Sequence, residues 1–178
     1  MKRVLLILPL ALFALLSVFL LRGLFADPTE LSSARIGQPL PPFSLPDLLV
    51  EGRILTPAEL PAGPLLINVW ATWCPTCYAE HQYLNQLAAQ GVPIIGLVYK
   101  DDASKARRWL DQLGNPYRLV LNDESGRYGI DLGVYGAPET YLLDRQQRIV
   151  YRHVGDVNAE VWARTLAPLW QQLNAEEP

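Results

Sequence analysis

The stretch Leu65-Leu66-Ile67-Asn68-Val69-Trp70-Ala71-Thr72-Trp73-Cys74-Pro75-Thr76-Cys77 decides how this chain is read. Leu65 to Ala71 is an apolar, β-prone run of the kind a central strand shows when both of its faces are covered. Tyr78 to Gln90 reads as a helix with Leu84, Leu87 and Ala88 on one face, stopped by Gly91 with Pro93 beyond. A strand followed by Cys-x-x-Cys at a helix start is the arrangement a dithiol needs for exchanging electrons with other thiols. The first sulfur sits where helix amides and the positive end of the dipole stabilise a thiolate. The second lies one turn on, within reach to displace whatever the first has captured.

Other readings of the pair fit less well. The chain has only these 2 cysteines. As a structural disulfide they would close a very short loop, worth roughly 2 kcal/mol on chain entropy against about 3 for a fifteen-residue loop. Cys74, Cys77 and His81 could offer a metal three ligands, with His153 as a distant fourth, but structural zinc takes four, often from two paired clusters, and the sequence has no second pair. Covalent haem attachment wants His directly after the second cysteine, where this chain has Tyr78.

With 178 residues the chain divides naturally into one domain and an N-terminal extra. Lys2 and Arg3 precede an uncharged run from Val4 to Leu21, which Arg22 closes; a run of this length can span a bilayer. It is longer than the apolar core of a signal peptide, and Leu24, two residues before Ala26, makes a poor cleavage site. The expectation is a cytoplasmic N-terminus at 1–3, an uncleaved transmembrane anchor at 4–22, a linker at 23–36 and a globular domain at 37–174. The domain would then face an oxidising compartment, where a lone Cys-x-x-Cys tends to be oxidised unless something keeps it reduced. Setting aside Lys2, Arg3 and Arg22 lowers the 15 basic residues to 12 against 18 acidic ones, a net charge of about −6. Such a balance, with no Lys/Arg cluster, disfavours nucleic acid as a partner.

Beyond the polar linker, Pro39, Pro41, Pro42 and Pro46 mark an extended segment with short edge strands at best. Ile94 to Tyr99 reads as a second buried strand. Ser104 is expected to cap a helix bearing Ala106, Trp109, Leu110 and Leu113 at helical spacing, ended by Gly114 and Pro116. Arg118 to Leu121 reads as a short strand, and Thr140 to Leu143 with Ile149 to His153 as a hairpin. Asn158 caps a last helix that Pro168 should kink. This order implies an α/β fold with a mixed sheet flanked by helices.

Here the chain resembles the thioredoxin superfamily, and more closely the membrane-anchored CcmG/DsbE proteins of cytochrome c maturation. That family carries a Trp-Cys-Pro-Thr-Cys site and a Gly-Val-Tyr-Gly-Ala-Pro-Glu-Thr stretch, which stands here from Gly133 to Thr140. The similarity extends from Gln38 to Gln172. It implies a thioredoxin-like fold with an insertion, preceded by one transmembrane helix. The domain would work on the periplasmic side of a bacterial inner membrane. It would be a reductant for apocytochrome c haem-binding cysteines or for a partner among the maturation proteins. Its electrons would come from a DsbD- or CcdA-type membrane protein, with no cofactor or metal beyond the Cys74–Cys77 disulfide.

Beside that resemblance, Cys74 is the expected attacking thiolate, at the exposed edge of the helix, and Cys77 the shielded resolving thiol. Pro75 and Thr76 set the geometry of the dithiol and remove one amide donor near the sulfurs. Trp73 is expected on the docking surface. The resemblance makes the Ala137–Pro138 bond cis and places it beside the cysteines, exposing the Ala137 backbone to an extended substrate segment. Thioredoxins keep a buried carboxylate at the position of Asn68, which cannot transfer a proton. Glu80 and Glu139 are the replacement candidates, and negative charge near Cys74 would favour a reducing thiol. His81 and His153 read as surface or sheet-face polar groups, and Tyr135 and Tyr141 as either core or groove. Two alternatives remain: a general disulfide oxidant or isomerase of the same fold, and a copper carrier using Cys74, Cys77 and a histidine.

Overall fold

The computed structural model describes residues 9, 12–21 and 35–175, in two units divided after Leu31. In the first, residues 12–21 form helix α1. Apart from residue 9, the remainder of the expected anchor at 4–22, and most of the expected linker, lie outside the described residues. Among the described residues no helix is long and apolar enough to cross a membrane.

The second unit is organised around β3 (Leu65–Trp70), whose six residues are all buried. β3 pairs in parallel with β4 (Ile94–Tyr99), which pairs in parallel with β5 (Leu119–Asp123). On its other side β3 pairs antiparallel with β6 (Glu139–Leu143), and β6 with β7 (Ile149–Val154). The sheet order is therefore β5-β4-β3-β6-β7. A run as apolar as β3 is stable at the centre because both faces are covered. Its side chains alternate strictly: Leu66 and Trp70 enter one core, and Leu65, Ile67 and Val69 the other.

The first core is closed by α2 (Pro75–Ala89) through Leu84 and Leu87, and by α3 (Ala103–Leu113) through Ala106 and Leu110. The C-terminal helices α5 (Ala159–Val161) and α6 (Ala167–Ala175) flank a π-helical turn, Trp162–Leu166, and add Leu166 and Leu173. The second core is closed by α4 (Arg127–Leu132), which sequence patterning missed because it is one short turn-rich helix. A small hairpin, β1 (Leu45–Pro46) with β2 (Ile54–Leu55), completes it in the proline-rich segment.

Two local expectations change. α3 is capped by Asp102, whose carboxylate accepts from the Lys105 amide at 2.9 Å, and Ser104 instead donates to that carboxylate. The kink expected at Pro168 takes the form of the π turn before it. Pro168 has no N–H to continue the ladder, and the Ala167 N–H reaches back five residues to the Trp162 carbonyl.

Candidate active site

The chain leaves β3 at Trp70 and enters α2 at Pro75, so the Cys-x-x-Cys straddles the strand-to-helix turn. Cys74 is itself the N-cap: its Sγ accepts from the Cys77 amide at 3.0 Å, and Pro75 occupies the first helical turn, where no N–H is needed. Cys74 and Cys77 are joined as a disulfide, with Cα atoms 5.3 Å apart. A thiolate at Cys74 would keep the Cys77 amide as donor and gain the positive end of α2. Cys74 is only 3 % exposed and Cys77 2 %, so the expected contrast between an open and a shielded sulfur is absent. What distinguishes Cys74 is its position at the cap and its neighbour across the fold.

That neighbour is the Gly133–Thr140 segment. Its Ala137–Pro138 peptide is cis, and the Ala137 carbonyl oxygen lies 3.3 Å from Cys74 Sγ. Gly133 takes φ 87° to end α4 and turn the chain toward this position. Trp73 is 53 % exposed beside the disulfide, its indole N–H donating to the Lys100 carbonyl at 3.0 Å. Pro75 and Thr76 are also exposed, so the rim of the site is formed by the residues of the motif itself.

Asn68 and Glu80 meet beneath the disulfide-bearing turn. Asn68 points from β3 into the first core and donates from Nδ2 to Glu80 Oε1 at 3.0 Å and to Thr140 Oγ1 at 3.1 Å. Glu80 also accepts from the Val157 amide at 2.8 Å. It is 1 % exposed, and its place three residues after Cys77 puts both on one helix face. Burial pushes the Glu80 carboxyl up to about 7; the Val157 and Asn68 donors oppose that shift, and the charge of Asp156 adds to it. It is therefore poised to hold or release a proton near neutral pH.

This has a consequence for stability. The folded carboxyl keeps its proton to about pH 7, while the ordinary value is 4.5. In that window the folded state binds more proton, so the contribution is complete below 4.5 and is lost as pH rises through 7. The expected loss is about 3 kcal/mol. Denaturant titrations across this range should show the slope in the parent and its flattening in Glu80→Gln. An unchanged slope in that variant would remove Glu80 as its source.

Glu139, the second candidate, is equally buried but committed elsewhere. It forms a two-pronged ion pair with Arg152 at 2.8 and 2.9 Å and accepts from Tyr141 Oη and from the Tyr135 and Gly136 amides. Arg152 in turn lies 4.4 Å from the centre of the exposed Tyr135 ring. Glu139 thus pins the segment that presents Ala137 and Pro138. Tyr141 is core and Tyr135 is surface, which settles their two readings. His81, expected at the surface, is buried: Nε2 meets the Gly114 carbonyl at 2.8 Å and Nδ1 faces the Trp109 indole N–H at 3.4 Å. Burial holds its imidazole below the usual range. With both ring nitrogens engaged it favours no metal-carrier reading, and the described residues contain no cluster of three acidic, His or Cys side chains suited to a metal. Sequence reading missed Thr140, Tyr117 and the Val157 amide, which complete the network around Asn68 and Glu80.

A mixed sheet with a capping Cys-x-x-Cys at the helix start and a cis-proline beside it defines a thioredoxin-like thiol–disulfide oxidoreductase. A family profile described as Redoxin matches residues 35–167. Over the whole chain it is 54 % identical to the thiol:disulfide interchange protein DsbE of Pseudomonas aeruginosa, covering 98 % of that protein. It is 52 % identical to the DsbE of Escherichia coli K12, over 99 % of this chain and 98 % of the other. The chain belongs to the DsbE family of thiol:disulfide interchange proteins. Among solved structures, a thio-disulfide isomerase from Thermus thermophilus superposes with TM-score 0.65 at 26 % identity, over 80 % of this chain and 99 % of that one. A DsbE-type protein from Chlorobium tepidum superposes with TM-score 0.63 at 23 % identity, over 75 % and 95 %, which supports the fold.

Proposed function

We propose that this protein is a membrane-tethered periplasmic reductant acting in cytochrome c maturation, with an anchor at 4–22, a linker at 23–36 and the redox domain at 37–174. Its substrate would be the disulfide of the apocytochrome c haem-binding cysteines, or of a maturation protein that has taken up that disulfide. A DsbD- or CcdA-type membrane protein would return it to the dithiol state. The observation that carries the reading is a buried carboxyl, Glu80, on the helix face of Cys77, where thioredoxins use a residue at the position of Asn68. The uncharged N-terminal run and the intact Gly133–Thr140 segment support the tether and the pathway.

The chemistry follows from the geometry. Cys74 thiolate attacks one sulfur of the substrate disulfide, forming a mixed disulfide and expelling the other substrate sulfur as thiolate. An extended substrate segment is held by the backbone at Ala137 and by the exposed face of Trp73. Glu80 carboxylate then takes the Cys77 proton. The resulting thiolate attacks Cys74 Sγ, the second substrate thiolate leaves, and two electrons have passed to the substrate. A buried anion near the pair disfavours thiolate at either cysteine, so the dithiol gives up its electrons more readily than one stabilised as thiolate.

A Cys77→Ala variant in native membranes is expected to accumulate a mixed disulfide with apocytochrome c or a maturation protein; trapping neither would overturn the substrate assignment. Equilibration with a dithiothreitol buffer is expected to give a potential well below the strong-oxidant end near about −120 mV. A value close to that end would favour the general oxidant instead.

A further inference from the structure

Tyr117, in the segment leading into β5, is fully inside the first core yet carries a hydroxyl. That hydroxyl donates to Asn68 Oδ1 at 2.9 Å. The ring is packed against Trp70 and Gly96. It stacks on Trp70 with centroids 5.7 Å apart and planes 16° from parallel. On the β4 side it rests against Gly96, where a Cβ would come within 2.9 Å of its ring carbons. Only glycine leaves that slot open, and the packing fixes the hydroxyl oxygen beside Asn68 Oδ1.

The consequence lies in the Asn68 amide. An amide has an acceptor end and a donor end, and rotating it by half a turn exchanges them. With Tyr117 donating to Oδ1, Nδ2 must face Glu80 Oε1 and Thr140 Oγ1. A donor at Nδ2 favours the ionised carboxylate. The opposite orientation would set Oδ1 against Glu80, which only a protonated carboxyl could satisfy. We propose that Tyr117 is a positioning residue that locks the Asn68 amide donor toward Glu80, and so governs the proton exchange of Glu80 beside the Cys74–Cys77 pair. The inference rests on the reading that Glu80 accepts the Cys77 proton, but it concerns a separate quantity, the midpoint of Glu80 itself.

The groups facing Glu80 are few. Asp156, in the segment after β7, adds a charge that opposes ionisation. Tyr117 is held neutral by burial and by Glu80. On α2 itself are Cys77 and the adjoining His81, whose ring is turned to Gly114 and Trp109. Arg152 is engaged with Glu139. The Asn68 amide and the Val157 N–H are thus the donors available to the carboxylate.

The test is carbon-13 NMR of the Glu80 carboxyl in the full chain, in the disulfide form where neither sulfur titrates. Tyr117→Phe keeps the ring and removes the donor to Oδ1, so that the present amide orientation loses its advantage over the one that sets Oδ1 against a protonated Glu80. The Glu80 midpoint should rise by about one pH unit, a tenfold change in proton affinity. The pH profile for reduction of oxidised glutathione should move the same way. An unchanged midpoint, even with a lowered Tm, would overturn the proposal and leave Tyr117 a core aromatic. Should Tyr117→Phe fail to fold, the parent decides. The Asn68 Nδ2 proton resonances must titrate together with the Glu80 carboxyl, and their indifference to it would equally overturn the amide lock. If the midpoint moves while the exchange profile does not, the lock stands and the role of Glu80 as proton acceptor fails.

Discussion

Cys74→Ser is expected to lower the rate of disulfide exchange by about a thousandfold or more, while Cys77→Ser halts the reaction after a single event. A serine hydroxyl is not ionised near neutral pH, so the N-cap position that stabilises a thiolate at Cys74 has nothing to act on. Without Cys77 the attack itself survives, because the Cys77 amide and the end of α2 are backbone features. The mixed disulfide then has no resolving thiol. Stopped-flow reduction of a fluorogenic disulfide separates the two: no burst for Cys74→Ser, and a burst of one equivalent without turnover for Cys77→Ser. The reverse pattern would exchange the roles. The sulfurs are equally buried, so the assignment rests on the cap and on the Ala137 carbonyl alone.

The second large effect is on stability. Arg152→Ala should destabilise the domain by about 3–5 kcal/mol, because it leaves the Glu139 carboxylate buried and unpaired. The Arg152 side chain is 3 % exposed and that of Glu139 1 %, so water cannot take over the missing guanidinium. For a domain of this size the Tm would fall by roughly 10 °C. Arg152→Met combined with Glu139→Gln removes both charges together and should recover much of the loss. Equal melting of Arg152→Ala and the parent would show that the pair contributes nothing net. The loop from Tyr135 to Pro138 depends on the same pair, through the Glu139 bonds to the Tyr135 and Gly136 amides.

The elements with strong periodicity were legible. β3 and β4 follow their apolar runs, and α2 follows its helical face up to Gly91. The hairpin of β6 and β7 follows from the alternation on either side of Asp144–Gln147. The short helix α4 escaped because six residues carry too little pattern to separate from a loop. The N-cap of α3 went to Asp102 rather than Ser104. Both are capping residues, and only the backbone direction entering the helix chooses between them.

At the active site the division has a clear cause. Local order along the chain determined the chemistry: a strand, a Cys-x-x-Cys and a helix start place two sulfurs one turn apart wherever this stretch folds. Asn68 could be recognised as unable to move a proton, and Glu80 and Glu139 as the acids near enough to matter. Their separation into a carboxyl held by neutral donors and one in an ion pair was decided only by tertiary structure. Glu80 is desolvated with two neutral donors, Asn68 and the Val157 amide, drawn from β3 and the segment after β7. Glu139 meets Arg152 from a neighbouring strand. Proton affinity depends on what surrounds a carboxyl within a few ångströms, and those surroundings come from residues up to 77 positions away in the chain.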